Sequence, residues 1–489
     1  MAGTLLLIVA LAPAVAIVLI LALRRPRAAE FFNLAASIVS LLAALPLPLA
    51  SYDGPYVFWR GYVALDPLGA WATLCSAIVY CLASIYAIGY MRMLDEEERL
   101  ARFYMLFAAF ALTTLIGPMM NNAGLYWIAI ELTTLVSTFL VAFEHSAESI
   151  EAAWKYIIVV SGGISLALLG TVLFYWAGTF VIGTTYDMTW STLRAAAPHM
   201  SPVLLLLGFL LVLVGYGTKV GLAPMHTWLP DAHSEGPAPV SALLSGALLN
   251  TAIVGIVRYL AVVDAARVGP IPRDTLLAFG VFSLFVAALF IARQRGIKRL
   301  MAYSSVEHMG VMALGFGFGG VLGVAGALYH MLNHSLNKSL MFFGAGSMMR
   351  SYGTKRIGAI RGVGSHFPVV GALWLAGAVA ITGAPPFGLF ASELTILRAG
   401  FAGSGIWAAI AMSILLIVIF IGFLNHFRLM YVEPAGASHP VPRPVSAWCV
   451  LPMWLALLPL LVLGLWWPEP VWHFLSAIAG ELAVPGAVR

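Results

Sequence analysis

The sequence predicts an all-α polytopic membrane protein of about 14 transmembrane helices, and three observations carry that prediction. Of its 489 residues 61% are hydrophobic and only 10% charged, whereas soluble domains carry about 25% charged residues. Mean hydropathy is +0.95. Apolar runs of roughly 20 residues, long enough to cross a bilayer as helices, recur from one end to the other with short connectors between them. No soluble domain fits beside them.

The expected spans are 4–23, 31–50, 66–90, 103–120, 123–143, 154–177, 202–220 with a broken continuation to 230, 238–262, 274–292, 299–319, 321–348, 367–399 with an interruption, 404–430 and 446–466. The first has no basic n-region and no clear small-residue cleavage site, so it reads as a mature span rather than a signal peptide. The acidic run Asp95 to Glu98 reads as a solvated loop, and Glu144 to Glu151 as a charged turn. Gly178 to Met200 is the longest external connection of the middle chain, either an ordered hairpin or a loop.

Lysine and arginine divide unevenly between the two sides. Loops after odd-numbered spans, counted with the span ends beside them, hold 17 of the 26, the opposite loops counted likewise hold 7, and the remaining two, Lys219 and Lys338, lie deeper inside spans. The positive-inside rule then puts the odd loops in the cytoplasm and both termini outside. It also accounts for the net charge of +5 without nucleic acid. The three cysteines, Cys75, Cys81 and Cys449, form no CxxC pair, which excludes iron–sulfur and structural zinc centres. Any redox centre then belongs to a partner.

Two stretches break the helical pattern. The seventh span ends on Lys219, followed by Gly221, Pro224 and Pro230, and the twelfth is cut by GAPPFG, Gly383 to Gly388, with Glu393 just beyond. Broken backbone at membrane depth is tolerated only where it packs in protein or lines a wet cavity. The breaks hold the fourth place in two units of similar length, 103–262 (spans 4–8) and 274–430 (spans 9–13). That arrangement predicts two inverted five-helix repeats, flanked by 1–102 (spans 1–3) and 446–489 (span 14).

Ionisable residues inside the spans mark the candidate site. They are Glu131, Lys155 at the mouth of span six, Lys219, Glu307, His308, His330, His334, Lys338 and Glu393. A charge at a helix centre costs about 2.5 to 3.5 kcal/mol on insertion scales, so such residues are kept for a use. Buried Glu and Lys shift their proton affinities in opposite directions and shift back when they approach each other, which suits proton movement near neutral pH. Glu131 with Lys219 is the expected pair of the first half, and Lys338 with Glu393 serves the second. Histidine suits the relay between them. His330, His334 and Lys338 recur every four residues and so share one helix face. The same two histidines could ligate a metal or a haem, but no HExxH and no carboxylate companion in sequence supports zinc. Lys155 reads equally as a structural lock or a snorkelling side chain. His226, Asp231 and His233 flank the Pro230 turn, as loop caps or as the mouth of a proton path.

The stretch HTWLPDAHSEGPAPVSALLSG with Lys219 upstream, together with IKRLMAYSSVEHMG, HSLNKSLMFFGAG and GAPPFGLFASE, resembles the antiporter-like subunits of respiratory complex I, Mrp cation/proton antiporters and membrane-bound nickel–iron hydrogenases. The resemblance spans helices four to thirteen. It implies a fourteen-helix fold and a proton path through Glu131, Lys219, Lys338 and Glu393. Asn250 stands where complex I and Mrp relatives usually carry a lysine. With Glu307–His308, it makes the chain most similar to the component F branch of hydrogenase-four and formate-hydrogenlyase-type complexes.

The resemblance implies a proton-translocating subunit in a prokaryotic plasma membrane, in contact with lipid. It implies no cofactor in this chain, and partners that are other membrane subunits and soluble redox subunits. The competing readings are an Mrp-type Na⁺/H⁺ antiporter subunit, a haem or quinone membrane oxidoreductase subunit using His330 and His334, and a docking scaffold.

Overall fold

A computed structural model describes residues 2–52, 54–94, 99–432 and 443–482. The acidic run Asp95 to Glu98 lies outside them. The helices are α1 (Ala2–Leu23), α2 (Pro26–Ala44), α3 (Leu47–Ala50), α4 (Pro67–Met91), α5 (Leu100–Ile116), α6 (Ala123–Val141) and α7 (Ala147–Ile182). Next come α8 (Trp190–Ala196), α9 (Pro202–Val220), α10 (Trp228–Glu235), α11 (Ala238–Leu243) and α12 (Leu249–Ala265). Then follow α13 (Ile271–Ala292), α14 (Ile297–Phe318), α15 (Gly320–Tyr352), α16 (Val363–His366) and α17 (Pro368–Ile381). The last are α18 (Gly388–Ala402), α19 (Ile406–Val432), α20 (Ala447–Leu465) and α21 (Glu469–Leu482). Strands β1 (Tyr56–Phe58) and β2 (Val63–Leu65) form a small antiparallel hairpin, with Tyr56 opposite Leu65.

The protein is an all-α polytopic membrane protein. Among the described residues, eleven helical stretches are long and apolar enough to cross a bilayer. Helices α14 and α15 are not among them, yet both are buried along nearly their whole length. Their Glu, His, Lys and Ser side chains face protein rather than lipid, so hydropathy understates them. In its most apolar 18 residues the stretch Ala238–Ala265 is 100% buried and Pro67–Leu94 is 89% buried, against 28% for α1 and for α19. The polar helices therefore run through the centre, and the most apolar ones form the outer wall.

Capping explains where several helices begin. Asp66 accepts from Gly69 N (2.8 Å) at the head of α4, and Asn122 accepts from Gly124 and Leu125 N at the head of α6. Ser146 does the same for Ser149 N at α7. Each satisfies backbone donors that have no partner within the helix. The connection after α7 is ordered: Tyr186 packs back on α7 through its hydroxyl, and Thr189 caps the short α8.

Both breaks are present. α9 ends at Gly221 in the left-handed region, φ 81°, and Leu222 N bonds back to Gly217 O (2.9 Å), a glycine-terminated helix end. The chain resumes as α10. The second break separates α17 from α18 and has Gly383 at φ +65°. A third irregularity was not expected: α11 and α12 are joined by a π-helical turn, Leu244–Leu248, which locally re-aims the residues after it.

Candidate functional site

Lys219 sits in the last turn of α9, fully buried, where the carbonyl end of a helix favours a cation. Its ammonium donates to Thr134 Oγ1 (2.7 Å) and to the Tyr156 hydroxyl (2.9 Å). Thr134 in turn donates to Glu131 Oε2 (3.4 Å), and Ser161 donates to Glu131 Oε1 (2.7 Å). Glu131 and Lys219 thus meet through one hydroxyl rather than as a direct ion pair. On the other branch, Tyr156 bonds Ser137 (2.7 Å), which is itself bound to Thr133 O (2.6 Å). Trp228, opening α10, donates to Thr218 O (2.7 Å) and packs on the Tyr156 ring. The broken helix is folded back onto the lysine it presents.

In the second half, His330, His334 and Lys338 lie along one buried face of α15. His308 Nδ1 of α14 is 3.0 Å from His330 Nε2, and His330 Nδ1 is 2.9 Å from Ser392 Oγ of α18. One donor atom each of His308, His330 and Glu393 lies within 4.8 Å of the others. Sequence spacing offered these histidines no carboxylate; the fold supplies one across three helices. Lys338 donates to Met301 O (3.2 Å) and to Ser304 Oγ. The charge of Glu307 acts on Lys338, and Glu393 lies with His308 and His330.

His233 belongs to α10 and His334 to α15. Both are fully buried, and neither ring nitrogen of either has a protein partner. Buried polar atoms of this kind are ordinarily satisfied by water. His233 lies flat on Phe342, and the charges of Lys298 and Lys338 both reach it. Asn250 bonds Gly246 O and Ser335 Oγ (2.8 Å each) and leaves its Oδ1 unpartnered. Ser245 meets Ser305 at 2.7 Å. At the position where the resemblance puts a lysine in relatives and this chain has Asn250, an amide stands among a set of hydroxyls.

Other candidates lie at the edge. Lys155 is half exposed and pairs with Glu151 (2.6 Å) and Asp231 (3.5 Å), and Arg299 also reaches Asp231 (3.0 Å). These contacts make it part of a surface clamp over α10. His226 is buried with its ring against Tyr303.

Four side chains escaped the sequence reading: Thr134, Tyr156, Ser392 and Lys298. By its place between Arg295 and Arg299, Lys298 counts among the loop cations, but it is buried in the first turn of α14. It donates to the carbonyls of Ser234 (3.2 Å) and Gly236 at the end of α10. A signal was available, because Lys298, Met301, Ser305 and His308 recur at helical spacing on one face. Arg258, inside α12, is clamped to Asp66 by two hydrogen bonds (2.6 and 2.9 Å).

A family model described as NADH:quinone oxidoreductase/Mrp antiporter, TM, matches residues 120–419. The Hydrogenase-4 component F homolog of Methylacidiphilum infernorum is 42% identical over 326 residues, 66% of this chain and 68% of that protein. Hydrogenase-4 component B of Escherichia coli is 30% identical over 71% of this chain but only 52% of its own length, so the chain spans about half of that relative. Among solved structures, the archaeal membrane-bound sulfane sulfur reductase has a similar chain at TM-score 0.87 and 21% identity, covering 98% of both chains. The Mrp complex of Dietzia sp. gives the same TM-score at 19% identity, covering 99% of this chain and 98% of that one. At those identities the structures speak for the fold alone. The family match covers more than half of the sequence, and the chain belongs to the NADH:quinone oxidoreductase/Mrp antiporter transmembrane family of antiporter-like membrane subunits.

Proposed function

We propose that this chain is the proton-translocating membrane subunit of an energy-converting redox complex of the hydrogenase-four or formate-hydrogenlyase type. Its membrane would be a prokaryotic plasma membrane, with both termini extracytoplasmic. It would hold no cofactor and would work beside other membrane subunits and soluble redox subunits. The units 103–262 and 274–430 are read as inverted repeats, with 1–102 and 446–489 flanking them in a fourteen-span chain.

The observation that carries this reading is the placing of two fully buried lysines. Lys219 is linked to Glu131 through Thr134, and Lys338 is linked to Ser304 beside Glu307. A buried ammonium held by hydroxyls is only partly compensated, so a small change in a neighbouring charge moves its proton. In this reading a redox step in the soluble arm alters the Glu131–Lys219 link. The disturbance passes through His233 and His334 to Lys338 and on through His308 and His330 to Glu393. Moving one charge against 100 mV takes about 2.3 kcal/mol.

The test is Lys219→Met in the assembled complex reconstituted in vesicles. Proton pumping should fall to background while electron transfer between soluble substrates continues. Pumping that persists at the wild-type rate removes Lys219 from the path. A sodium-dependent pH gradient abolished by Glu131→Ala would replace the proton by Na⁺ as the coupling ion.

A further inference from the structure

We propose that His308, His330 and Glu393 form a binding site for a divalent cation of the zinc class, with Ser392 as the residue that positions His330. The three donors come from α14, α15 and α18, and all are buried, Glu393 being 5% exposed and the histidines 0%. Their donor atoms lie within 4.8 Å of one another. Zinc binds His nitrogen at about 2.0–2.1 Å and carboxylate oxygen at about 2.0–2.2 Å, so tetrahedral ligand atoms stand roughly 3.3 Å apart. The 3.0 Å between His308 Nδ1 and His330 Nε2 is within a few tenths of that. Glu393 closes the remaining gap by a side-chain swing, and its Oε1 has no other partner.

The hydrogen bonds fix the tautomer that a metal needs. The Ser392 hydroxyl donates to Leu389 O (2.8 Å), so toward His330 its oxygen acts as acceptor. His330 Nδ1 therefore carries the proton, and Nε2 presents a lone pair toward His308. A second shell of this kind orients ligating histidines in metal sites. Without a metal, His308 Nδ1 therefore donates to His330 Nε2 across the 3.0 Å contact; a cation takes the place of that proton, which moves to His308 Nε2, an atom with no protein partner, and Nδ1 ligates.

The surroundings supply charge and access. Glu307 is near enough for its charge to act on Glu393, so two carboxylates face one dication, with the Lys338 ammonium opposing. Gly383 stands against the carboxylate, and a Cβ there would fall 2.0 Å from Glu393 Oε2. The break loop runs from this group to the molecular surface, where Pro385 and Pro386 are exposed. Two imidazoles and one carboxylate select a borderline-soft cation over Na⁺ or Mg²⁺, which prefer all-oxygen shells. Occupancy would hold Glu393 and both histidines and arrest proton passage through the second half; this consequence rests on the proposed proton route.

The experiment titrates the tag-free full chain in detergent with CoCl₂, then with ZnCl₂. One equivalent of Co²⁺ should give the visible bands of a four-coordinate site, and Zn²⁺ should displace it. Ser392→Ala, which leaves all three ligands in place, should weaken Co²⁺ by about 10- to 100-fold, and His330→Asn should abolish the bands. Absence of bands in the wild type, or equal affinity in wild type and both variants, overturns the site while leaving the proton route untouched. In vesicles holding the assembled complex, ZnCl₂ should stop pumping in the wild type at concentrations that Ser392→Ala withstands. Metal bound without arrest upholds the site and overturns the route through it.

Discussion

At the scale of single residues, the decisive object is the Thr134 hydroxyl. It accepts from Lys219 and donates to Glu131, so it is the only described hydrogen-bonded link between the two charges. Thr134→Val keeps the shape and deletes the hydroxyl, leaving the ammonium with Tyr156 alone. A hydrogen bond to a charged group contributes about 1.5–3 kcal/mol, which at about 1.4 kcal/mol per tenfold translates into a roughly tenfold or larger loss of pumping rate if the link carries the step. Thr134→Ser should restore it, and vesicle pumping assays read both. Sequence alone exposed Lys219 because a lone lysine beside Gly221 and Pro224 cannot be an ordinary apolar residue. It hid Thr134, Tyr156 and Ser392, because hydroxyls occur throughout membrane helices and only their distances distinguish these three. Lys298 was masked for another reason: Arg295 and Arg299 beside it looked like a solvated cluster, and only its side-chain direction separates it from them.

At the scale of elements, the breaks were legible as glycine and proline runs, whereas the π turn at Leu244–Leu248 was not, since its residues suit an ordinary helix. That turn lies between the His233 end of α10 and Asn250, and its Gly246 carbonyl accepts from both Asn250 and Ser335. It therefore ties α12 to α15 at Asn250. Eight residues after Asn250, Arg258 anchors the same helix to Asp66 and to Pro118 O (2.9 Å), and its guanidinium lies over Trp190. Asp66 also caps α4, so one carboxylate fixes two helices. Removing one partner of a buried pair costs roughly 3–5 kcal/mol; because the Asp66 side chain is 24% exposed, the low end applies. Arg258→Met should therefore destabilise the protein by about 3 kcal/mol. Combining it with Asp66→Asn should cost less than the two single changes added, measured by thermal unfolding in detergent.

At the scale of the whole molecule, the wall and the core have exchanged the usual signs. The helices that a hydropathy scan finds most readily, α1 and α19, are the most exposed, while α14 and α15, which it misses, form the centre. The proposed route runs from Glu131 on α6, through Lys219, His233, His334 and Lys338, to Glu393 on α18. If one displacement passes along this line, the two halves act in series, and each lysine gates the whole flux. Lys219→Met and Lys338→Met should then each reduce pumping to near background, and the double variant should be no slower than the slower single one. Two independent channels give a different pattern: each single variant keeps about half the flux and only the double loses it, because effects on separate routes add. Initial rates of vesicle acidification, normalised to electron transfer in the same preparation, separate the two cases. Asn250 makes the series case demanding, since the hydroxyls of Ser245, Ser305 and Ser335 must then do the work of the missing lysine. A flux halved by each single variant would show that they do not.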